Sequence, residues 1–179
     1  MARISNEQPI LKPQDFVVAL KIALIGDEGF PSYISIAAAL SMSASEVHGS
    51  AKRARQARLL QRSGGKELVA NRAALREFAL HGVPYAYPPR LGPVTRGIPT
   101  ASGAPSLVGS LMESVEVPVW PHPAGQVRGP ALYPLYPSVP RAAEKDSALY
   151  DLLSLVDAIR IGTAREREIA AEILERRLS

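Results

Sequence analysis

Residues 36–60 read IAAALSMSASEVHGSAKRARQARLL and carry, in order, a small-residue helix, a tight polar turn and a basic helix. Where two helices cross in a helix-turn-helix the first needs a small side chain. Ala37 supplies it, one residue after Ile36 and three before Leu40. The turn is Ser41-Met42-Ser43, with Met42 able to point back into the junction, and Ser43 with Glu46 has the S-x-x-E spacing of a capping box, so a second helix starts there. Along it Val47, Ala51 and Ala54 recur at helical spacing as a thin apolar stripe, while Ser45, His48, Lys52, Arg53 and Arg55 fall on the other side. The second helix therefore buries little and presents donors and positive charge outward.

The flanks agree with that reading. Upstream, Pro13 with Phe16, Val17, Leu20, Leu24 and Ile25 describes a helix with proline in its first turn and Gly26 at its end, and Pro31-Ser32 opens the next, with residues 33–40 as its body. Downstream, residues 59–62 and 67–69 flank Ser63-Gly64-Gly65-Lys66, a hairpin signal in which the glycines can take positive φ. Arg62 and Lys66 lie beside that tip. A phosphate-binding loop at Gly65-Lys66 requires glycine at 60 and Ser or Thr at 67, where the chain has Leu60 and Glu67, so that reading is rejected. Asn71 then caps a helix expected to end at Gly82.

The segment SMSASEVHGSAKRARQARLL, residues 41–60, resembles the recognition-helix region of MarR-like winged-helix transcription regulators, whose pattern runs Leu-x-x-Ser-x-Ser-x-Val, then Lys-Arg-Leu, then Gly-Leu-Leu into the wing. The likeness covers residues 13–82, under half of the chain. Arg58 stands where the pattern has glycine at the helix exit, Ser41 stands for the glycine or small residue of the turn, and Gly49 occupies a surface position often given to a base-reading side chain. The resemblance implies a winged helix-turn-helix regulator, a repressor by expectation, binding double-stranded DNA as a homodimer. Its two recognition helices would then lie about one helical turn apart on a near-palindromic site. On this reading Ser45, His48 and Lys52 face base edges, and Ser43, Arg53, Arg55, Arg62 and Lys66 sit on phosphates. Taken alone, KRARQAR is equally well explained as the solvated face of an amphipathic helix. The order of helix, capped turn, basic helix and hairpin decides for DNA.

Charge follows the same division. The 179-residue chain has a formal charge of +4, distributed as net +4 over residues 1–81, +2 over 82–143 and −2 over 144–179. Cysteine is absent, which excludes disulfides, thiolate metal sites and cysteine nucleophiles. No stretch approaches the ~20 apolar residues a membrane span needs, and no signal peptide is legible, so a soluble cytoplasmic protein is expected.

From residue 83 to 143 the character changes, because most of the chain's 16 prolines lie here together with Tyr85, Tyr87, Trp120, Tyr133 and Tyr136. This composition suggests an extended, polyproline-like segment that packs its aromatics on its own domain or on a partner. Residues 144–179 carry two further helices: Leu149, Leu152, Leu153, Val156 and Ile159 form one stripe, and Ile169, Ile173, Leu174 and Leu178 another, separated by Gly162 and a Thr163–Glu166 capping box. Stripes of that length must be buried against the first domain, a second subunit or another protein.

The expected architecture is thus mainly α with a small β-hairpin wing, divided as a winged helix-turn-helix domain at 1–82, a Pro- and aromatic-rich segment at 83–143 and a C-terminal dimerisation or partner-binding piece at 144–179. A different class stays open, an antitoxin-like or adaptor protein that captures a partner through residues 83–179, with Trp120, Tyr133, Tyr136, Leu152 and Val156 as its contacts. Catalysis has no support in the residues. His48, His81 and His122 are dispersed without carboxylates at ligand spacing, no serine sits in a G-x-S-x-G elbow, and the C-terminal acids read as solvated partners of Arg160, Arg165 and Arg167. No metal or cofactor motif is present.

Overall fold

The computed structural model describes residues 10–26, 31–63, 67–108 and 116–179. It is mostly helical, with a two-stranded antiparallel sheet and a separate three-stranded one.

Helix α1 (Pro13–Ile25) is buried over most of its circumference, from Asp15 to Ala23, and stops at Gly26, whose φ of 70° needs no side chain. Helix α2 (Tyr33–Leu40) starts where Ser32 Oγ accepts a hydrogen bond from Ser35 N–H at 3.1 Å. The turn after it bends at Ser41, which takes a left-handed φ of 53°. Helix α3 (Ala44–Gln56) opens on the expected reciprocal cap: Ser43 Oγ accepts from Glu46 N–H at 3.2 Å, and Glu46 Oε2 accepts from Ser43 N–H at 2.9 Å. Only small or short side chains, Val47, Ser50, Ala51 and Ala54, are buried along α3, which lets it lie close against α1. Arg58 leaves the helix at a left-handed φ of 63°, and strands β1 (Leu60–Ser63) and β2 (Glu67–Ala70) pair antiparallel from Leu60↔Ala70 to Ser63↔Glu67. The glycines and Lys66 of the hairpin tip lie outside the described residues.

Asn71 caps α4 (Arg72–Glu77) by accepting from Ala74 N–H at 3.2 Å, but Gly82 does not end the helical run. A π-helical turn, Phe78–Gly82, leads into α5 (Val83–Ala86). The wider turn shifts the hydrogen-bond ladder, so Pro84 falls in a first turn, where its missing N–H costs nothing. The expected domain edge between residues 82 and 83 thus falls inside a continuous helical stretch.

Residues 91–99, 119–121 and 127–132 form strands rather than a polyproline-like run. β3 (Leu91–Pro99) pairs antiparallel with β4 (Val119–Pro121), through Ile98↔Trp120, and with β5 (Val127–Leu132), through Thr95↔Gly129; β4 meets β5 in parallel at Val119↔Ala131, closing the three strands on themselves. Such a narrow closed sheet needs backbones in contact. A Cβ on Gly97 would fall on the Trp120 carbonyl oxygen, and one on Gly129 on that of Val117. Helix α6 (Val139–Lys145) follows, with Pro140 in its first turn.

α7 (Ser147–Ile161) is capped by Asp146, whose Oδ1 accepts from Leu149 N–H at 3.0 Å. It is buried on every side from Leu152 to Ile159, packed on α1, α6 and α8 (Ala164–Arg177). Of the three covers open to the apolar stripe, the first domain, a second subunit or another protein, it is the chain's own helices, α1 among them, that bury it. Core residues of α1, α3, the 101–120 region, α7 and α8 belong to a single continuous cluster.

Candidate nucleic-acid interface

The face of α3 turned away from α1 carries Ser45, His48, Lys52 and Arg55, because the buried positions 47, 50, 51 and 54 fix the helix rotation. Tyr33, at the start of α2, meets the His48 ring edge-on at 5.1 Å. Across from them β1 presents Arg62. Tyr33, His48, Lys52, Arg55, Arg62 and Leu68, with Ala51 as floor, line a concavity of about 310 Å³. Three of these side chains are fixed cations and none is acidic. The fold thus brings four of the expected DNA contacts to one place, though they are 14 residues apart along the chain at the extremes, His48 and Arg62. Ser45 is exposed beside the concavity, and Lys66 lies outside the described residues.

Arg53 is elsewhere and does other work. Its Nε donates to Asp15 Oδ2 at 2.8 Å, and one terminal nitrogen donates to Asp15 Oδ1 at 2.7 Å and to Ser50 Oγ at 3.3 Å. Asp15 is fully buried, and it holds the guanidinium charged, above its ordinary pKa. The expected phosphate contact is therefore replaced by an internal ion pair, since position 53 lies on the flank of α3 that meets α1. Nothing in the local pattern signals this: the partner is 38 residues away in an ordinary helix first turn.

Ser43 is also committed, with its hydroxyl donating to Glu46 Oε2 at 2.7 Å. Beside it the C-terminal half grips the junction of α2 and α3. Tyr136 O–H donates to Glu46 Oε1 at 2.5 Å, and Lys145 Nζ donates to Ala38 O at 2.9 Å and Ser41 Oγ at 2.8 Å. The Tyr136 hydroxyl, helped by Ser43, lowers the Glu46 pKa to about 2.

The expected partner contacts separate into buried and exposed. Leu152 and Val156 lie in the α7 core, and Trp120 is 1% exposed, donating Nε1–H to Asp157 Oδ2 at 2.6 Å. Asp157, expected on a solvated face, is a buried hub: it also accepts from Thr100 Oγ1 at 3.0 Å and from the Arg160 guanidinium at 2.7 Å, and Arg160 Nε donates on to Tyr87 O. Burial pushes the Asp157 carboxyl up, against the pull of Arg160 and the neutral donors. Tyr136 serves α3, as above. Only Tyr133 faces outward, 41% exposed, with the Arg90 guanidinium 5.2 Å above its ring, on a cleft of about 680 Å³ walled largely by prolines.

Among the described residues no cluster of three His, Asp or Glu side chains forms a metal site, and no helix is long and apolar enough to cross a membrane. The chain matches no protein-family model, no curated protein and no solved structure.

Proposed function

We propose that the chain binds duplex DNA through a winged helix-turn-helix and acts as a transcription regulator. The observation that carries this reading is the cationic concavity in which α3 and β1 bring His48, Lys52, Arg55 and Arg62 together without an acidic neighbour in the lining. A helix that buries only small side chains on one side and exposes donors on the other is suited to the major groove, which is wide enough to admit it. Ser45, His48 and Lys52 then take base edges, while Arg55, Arg62 and, on sequence alone, Lys66 take phosphates. Arg53 and Ser43 leave the contact set because their polar atoms serve Asp15 and Glu46.

The test is fluorescence anisotropy of duplex DNA titrated at several salt concentrations. Replacing Lys52 and Arg55 together by alanine removes two cations without touching the core, so affinity falls and the slope of log K against log salt flattens by roughly 2. An unchanged affinity and slope would sink the reading. The adaptor reading keeps one supporting observation, the cleft with exposed Tyr133. It predicts a defined second polypeptide that co-purifies with the wild type and is absent from preparations of Tyr133→Ser.

A further inference from the structure

The outer face of the three-stranded sheet carries a feature that the α3 site does not use. Arg96 on β3 and Arg128 on β5 are directly opposed in the antiparallel register, and both are exposed. Opposed side chains on one face stand roughly 5 Å apart at Cβ, and like charges in that position destabilise the pair of strands. Neither guanidinium has a hydrogen-bond or ion-pair partner among the described residues. β3, β4 and β5 contain no acidic residue, and Glu144, which the fold brings near the β4 end, sits 3.6 Å from His122 Nδ1 instead. A surface selected only for stability would place a carboxylate across from Arg96. Val94, 57% exposed on the same strand, leaves the approach to the pair open.

We propose that Arg96 and Arg128 grip the phosphate backbone of duplex DNA as a second contact, separate from the α3 face; this rests on the DNA-binding reading of that face. Two forked guanidiniums side by side fit phosphate oxygens, which accept paired hydrogen bonds in the plane of each fork. A polyanion satisfies both at once and relieves their mutual repulsion. A duplex is the partner the charge pattern favours, since one charge per ~1.7 Å of its axis keeps a phosphate within reach of each arginine. The contact adds affinity and no sequence selectivity, because phosphates are identical along the strand. The body that carries the sheet is joined to the α2–α3 turn by Lys145 and to the start of α3 by Tyr136, so both contacts belong to one folded unit.

The experiment compares the intact wild type, Arg96→Gln/Arg128→Gln and Lys52→Ala/Arg55→Ala in the same salt-dependent anisotropy titration, with thermal unfolding in the absence of DNA. For the glutamine pair the expected result is weaker binding, a salt slope flattened by about 2 and an unfolding midpoint that does not fall. Arg128→Glu, which turns the repelling pair into an attracting one, should raise the midpoint and weaken binding further. An unchanged slope in the glutamine pair, with Lys52→Ala/Arg55→Ala still impaired, overturns this second contact and leaves the α3 reading standing. A fall in the unfolding midpoint overturns it too, by making the arginines structural. Loss confined to single-stranded oligonucleotides, with duplex binding intact, overturns the choice of partner. Absence of duplex binding by the wild type at low salt removes the α3 reading itself.

Discussion

Asp15 ties α1 to α3, because it is fully buried and Arg53 is its counter-charge. Removing one member of a buried ion pair leaves the other charge uncompensated, at a cost of about 3 kcal/mol. Arg53→Ala should therefore lower urea stability by that order, whereas Asp15→Leu/Arg53→Met should cost distinctly less; equal losses for the two would argue that the pair is not the cause. A fall in DNA binding by Arg53→Ala alone would thus report on folding. Glu46 gives a pH test at the same scale. Its folded pKa of about 2 lies below its ordinary 4.5, so its contribution is fully present above pH 4.5 and is lost as pH falls toward 2. Tyr136→Phe removes the largest cause of the shift. The variant should lose less stability than wild type between pH 4.5 and 2, and chemical shifts of the Glu46 carboxyl should titrate nearer 4.5.

At the scale of elements, α3 and its borders were readable because each is set locally. The Ser43–Glu46 spacing caps it, Pro31-Ser32 opens α2, and the Leu-rich flanks of the glycine turn make β1 and β2. Arg58, at the helix exit where the MarR-like pattern has glycine, and Ser41, where it has glycine or a small residue, are both left-handed, with φ of 63° and 53°. A left-handed L-residue costs about 1 kcal/mol, so Arg58→Gly should raise stability by about that amount in chemical denaturation, since the Arg58 side chain is exposed and its removal uncovers no core. A fall in stability there would show that Arg58 holds something in place. The β3–β5 sheet was illegible for the opposite reason. Its pairing joins residues 91–99 to 127–132, its strands hold prolines and lack alternation, and its closure depends on the missing side chains of Gly97 and Gly129. Pro84 likewise reads as a helix breaker unless a π-helical turn resets the ladder before it.

At the scale of the whole molecule, the decisive element is α7, and its sequence was half informative. The stripe Leu149, Leu152, Leu153, Val156 and Ile159 announces burial, but a stripe does not say what covers it. Here α1, α6 and α8 do, and its remaining residues, Leu155, Ala158 and Asp157, are buried too, with the Asp157 hub tying Trp120 and Thr100 to the helix. Polar ties extend the same attachment: Lys21 Nζ reaches Asp146 Oδ2 at 2.6 Å, joining α1 to the α7 cap. With its stripe satisfied internally, α7 gives no ground for a dimer, and the core should fold as a unit of one chain. Leu152→Ala removes a fully enclosed side chain and should cost roughly 3 kcal/mol through reduced burial and a residual cavity. The unfolding midpoints of wild type and variant should both be independent of protein concentration, because the α7 stripe is covered within the chain and needs no second subunit to be buried. A midpoint that rises with concentration in the wild type, and a Leu152→Ala protein that changes its subunit number by light scattering, would return α7 to an interface and restore the two-fold DNA site expected of a dimer.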